Sequence, residues 1–200
     1  MKQTDTSQVL KLAGKYGFLR ASDLRQRRIP RTYLYRLKKR GKLIQISRGV
    51  FALPDHNAGE LQSLFEASLR VPDGVICLLS ALRYHGLTTQ TPHHVWLAID
   101  RTAWRPRVDD IPVRIMRFSG AALREGIQTH HVAGITLRVY NQAKTVADCF
   151  KYRNKIGLEV ALEALRECWR AGGATMDELF KYAVICRVAN FMRPYLESLV

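Results

Sequence analysis

Between Ile29-Pro30 and Pro54 the chain changes its hydrophobic period once, and that change restricts the fold more than any other feature. Proline disfavours helix in the residue before it and is tolerated in a first helical turn, so Pro30 ends one helix and opens the next. The new helix runs to Gly41, where a left-handed residue closes it. Beyond it Leu43, Ile44, Gln45 and Ile46 form a β-prone run, Ser47-Arg48-Gly49 make a turn, and Val50-Phe51-Ala52-Leu53 return to Pro54. Upstream, Val9, Leu10, Leu12, Ala13 and Tyr16 recur at helical spacing before Gly17. Ser22 is then placed to cap a second short helix through Leu24 toward Arg27. Three helices and a hairpin, in that order and within about 55 residues, predict a winged helix-turn-helix.

The charge falls on the same segment. Residues 1–54 carry fourteen Lys/Arg against Asp5 and Asp23, which is +12 of the chain's total of +15. An excess of that size, confined to one end, favours a polyanionic partner over a generally basic surface. At 100° per residue the third helix sets Pro30, Tyr33, Leu34 and Leu37 on one side and Thr32, Tyr35, Arg36 and Lys39 on the other. The second set is the expected face toward a DNA groove. Arg31 and Lys38 flank it for phosphates, with Arg28 in the preceding turn and Arg48 at the hairpin tip for an adjacent minor groove or backbone.

The remainder predicts a larger mixed domain. Asp55-His56-Asn57-Ala58-Gly59 reads as a linker, giving domains over 1–55 and 56–200. Helices are expected over Glu60 to Arg70 and Ile76 to His85, and strands over Val95 to Ile99, Val113 to Phe118, Gln128 to Val132 and Ile135 to Tyr140. Helices then run from Gln142 to the end, with breaks near Asn154 to Gly157 and at Gly172-Gly173. Strands flanked by helices on both sides indicate α+β rather than a repeated parallel βαβ array. The longest unbroken apolar run, Val75 to Leu79, is far below the roughly 18 residues of a spanning helix, and no secretory segment follows Met1. A soluble, cytoplasmic protein is expected, with no membrane contact. Cys77, Cys149, Cys168 and Cys186 lie too far apart for a zinc knuckle or redox pair and read as buried free thiols.

Enzymatic signals are weak. His93-His94 and His130-His131 are adjacent pairs, which an extended chain points to opposite faces, so neither pair holds one metal ion. No glycine-rich phosphate loop and no nucleophile elbow is present. A Mg²⁺-dependent nuclease targeted by the basic module would draw on Asp100, the pair Asp109-Asp110 or Asp148, but none is followed by the short acidic-x-lysine spacing such sites use. Turn formation for Asp109-Asp110 and a helix-surface position for Asp148 are the plainer readings. In Asn141 to Gly157 (NQAKTVADCFKYRNKIG), Val146, Cys149 and Phe150 fall at helical spacing. Asp148, Lys151, Arg153 and Lys155 form a candidate polar surface near the helix end. No metal and no cofactor is expected.

The segment Gly14 to Pro54 resembles the N-terminal winged helix of the AbiEi family, antitoxins of type IV abortive-infection toxin–antitoxin systems. Ile29-Pro30, Leu34 and Leu37, Arg40-Gly41 and Arg48-Gly49-Val50-Phe51 carry the likeness, and Leu78 to Ile99 and Asn141 to Gly157 look like that family's C-terminal domain. The resemblance implies a non-enzymatic antitoxin and transcriptional autorepressor that binds inverted repeats of double-stranded DNA in its own promoter, as a monomer or a dimer pairing there. It also implies that the C-terminal domain counters a nucleotidyltransferase-like toxin without a stable complex, through a candidate surface of Asp148, Lys151, Arg153 and Lys155. The alternatives are the nuclease above and an orphan DNA- or RNA-binding regulator.

Overall fold

Short apolar runs cut by glycine and proline give short elements, and the computed structural model follows that punctuation. It describes residues 5–16, 18–47, 49–54, 58–108, 111–132 and 135–199. The chain divides into two compact units, Met1–Arg70 with His130–Leu137, and Val71–Thr129 with Arg138–Val200.

In the first unit α1 (Asp5–Tyr16) leads into β1 (Phe18–Arg20), α2 (Ala21–Gln26), α3 (Thr32–Lys39), β2 (Ile44–Ser47), β3 (Val50–Ala52) and α4 (Ala58–Arg70). A three-stranded antiparallel sheet of order β1-β3-β2 puts Leu19 opposite Phe51 and Gln45 opposite Phe51 on the other side. Val9, Ala13, Leu19, Leu24, Ile29, Leu34, Leu37, Leu43 and Phe51 form its core. The strand β1 is absent from the sequence-based expectation. Three residues are too few to show alternation, and their pairing with β3 decides their state. Ser22 is likewise corrected: α2 starts at Ala21, so Ser22 lies inside the first turn rather than at the cap. The expected linker ends earlier too. Ala58 and Gly59 already belong to α4, which packs on β2, so the first unit extends past residue 55 to Arg70, while Asp55, His56 and Asn57 lie outside the described residues.

The second stretch opens with β4 (Val75–Ile76) and α5 (Leu78–Tyr84), then β5 (Val95–Asp100), β6 (Val113–Phe118), α6 (Ala121–Arg124), β7 (Ile127–Val132) and β8 (Ile135–Tyr140). Helices α7 (Gln142–Lys151), α8 (Arg153–Ile156), α9 (Leu158–Arg170), α10 (Met176–Ile185) and α11 (Ala189–Glu197) complete it. Ile76, expected in a helix, is in β4 because it pairs with Leu97 of β5 on one side and Val139 of β8 on the other. The sheet order is β6-β5-β4-β8-β7, with β5 parallel to β6, β4 parallel to β8 and β4 antiparallel to β5. This mixed sheet beside segregated helices is the expected α+β class.

One helix organises the second core. α7 is buried continuously from Ala143 to Phe150 because α5, α9 and α10 pack around it. Asn141 caps it by accepting a hydrogen bond from the Lys144 amide at 2.8 Å. All four cysteines are free and buried. Burial pushes the Cys168 thiol up to about 11, and pushes the Cys77 and Cys149 thiols well above the usual range with help from the Asp148 charge. Such thiols pack as small apolar groups rather than as nucleophiles. Among the described residues no helix is long and apolar enough to cross a membrane.

Candidate nucleic-acid interface

The apolar stripe of α3 is two leucines one turn apart, and both are consumed by the core: Leu34 and Leu37 are fully buried. Tyr33 is half-buried against the same core. Arg31, Thr32, Tyr35, Arg36, Lys38 and Lys39 are all exposed, with Arg40 and Lys42 continuing the row past the helix end. The helix carries no acidic residue in its first turn to neutralise them. Its basic last turn, Arg36, Lys38 and Lys39, sits where the helix dipole is negative, which favours cations there.

Neighbouring side chains hold several of these groups in place. Tyr35, half exposed at 49%, meets the buried Phe51 edge-on with ring centroids 5.5 Å apart. Lys38 Nζ donates to Gln45 Oε1 of β2 at 2.8 Å, which ties the helix end to the hairpin. The Arg36 guanidinium lies 5.4 Å from the centre of the Tyr33 ring.

The turn that orients α3 is built on a strained residue. Arg28 has φ 56, and its N–H donates to Arg25 O while Ile29 N–H reaches back to Leu24 O. This is a Schellman closure of α2, and the left-handed position, usually glycine, is taken by an exposed arginine. The same closure at the end of α3 uses Gly41 at φ 67, as its position in the sequence indicates. The predicted residues Arg28, Arg31, Thr32, Tyr35, Arg36, Lys38 and Lys39 are therefore all exposed on α3 and the turn before it. Arg48 lies outside the described residues.

Residues 7–54 match the AbiEi antitoxin family of transcriptional regulators. The match runs from within α1 through β3, about a quarter of the chain, and includes the cationic helix. Among curated proteins no match to the chain is found.

Further along the sequence, the four residues singled out near the end of α7 do not make one surface. Asp148 is 1% exposed, which overturns its expected helix-surface position. Its carboxylate accepts two hydrogen bonds from Lys144 Nζ, at 2.6 Å each, and Cys186 Sγ approaches Oδ1 at 3.3 Å. Lys144 is itself fully buried, with its ammonium 4.1 Å from the Tyr140 ring centre and 5.0 Å from that of Phe118. Burial raises the Asp148 carboxyl above the usual carboxylate range, while the Lys144 charge and hydrogen bonds pull it back down. Sequence reasoning missed Lys144. The signal for it was a lysine four residues before an aspartate inside a helix that is small or apolar on every side.

Lys151 and Lys155 remain exposed, as expected. Arg153 is half-buried: Nη1 donates to Phe150 O at 2.9 Å and the guanidinium stacks 3.8 Å over Phe191, so it closes the end of α7. Of the nuclease candidates, Asp100 accepts hydrogen bonds from the Thr102 amide and hydroxyl at 2.8 and 2.6 Å, which lower its carboxyl. It therefore closes a turn. Asp109 and Asp110 lie outside the described residues. His93 and His94 are exposed, while His130 is half-buried beside an exposed His131. No group of three or more metal-binding side chains occurs among the described residues.

Proposed function

We propose that this chain is a DNA-binding antitoxin and transcriptional autorepressor whose first unit is a winged helix-turn-helix, with α2 and α3 as the helix pair and the β2–β3 hairpin as the wing. The observation that carries this reading is the outer face of α3, where six exposed residues, four of them cationic, stand over two buried leucines. Thr32 and Arg36 read base edges in the major groove, and Arg28, Arg31, Lys38, Lys39 and Arg48 bind phosphates. The site is duplex DNA in the chain's own promoter, with inverted repeats engaging two copies, as monomers meeting there or a preformed dimer. The second unit, as the resemblance implies, counters a nucleotidyltransferase-like toxin without a lasting complex. The exposed Lys151 and Lys155 belong to that surface. The protein acts as a regulator rather than an enzyme.

The test is a gel-shift titration of the upstream promoter against random duplex over a range of salt. With about five phosphates neutralised, log K falls against log salt with a slope near −4.5. Equal affinity for random duplex would sink the operator reading, and preference for single-stranded RNA would replace it with the RNA-binding alternative. Mg²⁺-dependent plasmid cleavage that is lost in Asp100→Asn would restore the nuclease.

A further inference from the structure

The second unit contains a cavity of about 530 Å³ whose lining includes Arg101, Lys151 and Arg187 together with Phe118, Tyr152 and the buried Asp148. It opens at the carboxyl ends of the parallel strands β5 and β6, where Asp100 is paired with Phe118. The volume is that of a small-molecule site.

Three features give the cavity a ligand chemistry. Among the described residues, Arg101, Lys151 and Arg187 have no carboxylate within ion-pair distance, whereas the buried Asp148 is already engaged by Lys144. Three cations without a counter-charge, Arg101, Lys151 and Arg187, therefore stand beside one acid that is already paired. Arg117 is fixed: its Nη1 donates to Arg101 O at 2.8 Å and Ala103 O at 2.7 Å, which holds the guanidinium at the strand end and clamps the start of the loop carrying Arg101. Arg187 has φ 60, in the left-handed position of the Schellman closure of α10, where its N–H donates to Val184 O and Val188 N–H to Ala183 O. The closures after α5 and α9 use Gly86 and Gly172 at that position, so a cation stands here where backbone conformation favours glycine.

We infer that this cavity is a binding site for a small molecule bearing several phosphate groups. Arginine forks and a lysine ammonium suit phosphate oxygens, and Tyr152, stacked on the buried Phe118 with ring centroids 5.4 Å apart and 13° from parallel, adds an aromatic ring to the lining. A duplex about 20 Å across does not enter a cavity of this size, so the ligand is a free phosphorylated molecule and not the nucleic-acid backbone.

The experiment is calorimetric titration of the full chain with sodium tripolyphosphate, with ATP, adenosine and a 30-base-pair duplex as competitors. Saturable one-site binding is expected, displaced by ATP and unaffected by adenosine. Lys151→Gln and Arg187→Gly each weaken it about tenfold or more. Arg187→Gly does so without lowering Tm, because glycine relaxes the left-handed backbone, and Lys151→Gln changes an exposed side chain that folding does not need. Three results would overturn the site: no saturable binding, undiminished binding in either variant, or displacement of tripolyphosphate by the duplex, which would locate the anion on the DNA-binding surface instead.

Discussion

Removing Lys144 while leaving Asp148 in place is the sharpest test of the second core. The pair is contained within one helix turn, as in many exposed i,i+4 pairs, and those contribute about 0.3–0.5 kcal/mol. Here the side chains are 0% and 2% exposed and the N···O distance is 2.6 Å, so a lone carboxylate would have neither water nor a counter-charge. Breaking such a pair costs about 3–5 kcal/mol. At about 2–4 °C per kcal/mol for a chain of this length, Lys144→Met lowers Tm by roughly 6–20 °C. Methionine keeps the length of the stem against Tyr140 and Phe118, which separates the lost charge from lost packing. The loss depends on pH. Burial already raises the Asp148 carboxyl, and without Lys144 nothing of comparable strength pulls it down. A carboxyl held higher in the folded than in the unfolded chain is tolerated best below its unfolded value near pH 4, and its contribution worsens as pH rises through the folded value. The deficit of Lys144→Met against wild type therefore grows as pH rises above the unfolded carboxyl value. The double variant Lys144→Met/Asp148→Leu recovers most of the stability, since a packed apolar pair is commonly neutral or better. Thermal melts across pH would refute the reasoning if Lys144→Met costs under about 1 kcal/mol at pH 8, or if the double variant is no more stable than the single.

The same structure fixes several smaller effects. Gly126→Ala places a methyl 2.8 Å from Lys144 Cβ at φ +78, so it costs well over the roughly 1–2 kcal/mol of a left-handed alanine alone, whereas Gly172→Ala at φ +63 meets open space and costs only that much by denaturant titration. Thr175→Ala removes the capping box of α10, in which the Thr175 hydroxyl accepts from the Glu178 amide at 3.2 Å, and lowers stability by about 1 kcal/mol in the same titration. On promoter DNA, Lys39→Ala reduces the magnitude of the salt slope by about 1 while leaving sequence preference intact, and Arg36→Ala relaxes preference at a cost of about 1–3 kcal/mol, both read by gel shift across salt.

Much of the first unit is legible because its signals are local. Gly41 ends α3, Pro30 forces the break before it, and Leu34 and Leu37, buried one turn apart, leave Arg36, Lys38 and Lys39 outside. The strands from Val95, Val113 and Ile135 declare themselves by β-branched residues between turn formers. What stayed hidden depends on pairing at long range. β1 exists because Leu19 lies opposite Phe51, and Ile76 leaves the helix it was expected to start because Leu97 and Val139 pair on either side of it. Asp148 was placed on the surface for a related reason: a charge in a helix reads as solvent-facing unless its counter-charge and the helices that cover both are known. Lys144 supplies the first and α5, α9 and α10 the second.

The two arginines with positive φ join the sequence and the surfaces in one argument. Among the described residues five helix ends, those of α2, α3, α5, α9 and α10, close with the same pair of backbone hydrogen bonds, from the left-handed residue and the one after it. Three put glycine at the left-handed position and two put arginine there, Arg28 and Arg187. Geometry alone favours glycine at all five, by about 1 kcal/mol at each arginine. A chain free to choose by stability would place the arginines elsewhere on its surface at no conformational cost. Arg28 stands in the turn before α3, and Arg187 on the lining of the cationic cavity of the second unit, the two places where the proposed DNA-binding and phosphate-binding readings put an anion. A third non-glycine residue, the buried Leu78 at φ 47, opens α5, so positive φ alone does not mark an anion site; Arg28 and Arg187 differ from it in being exposed cations at helix-closing positions.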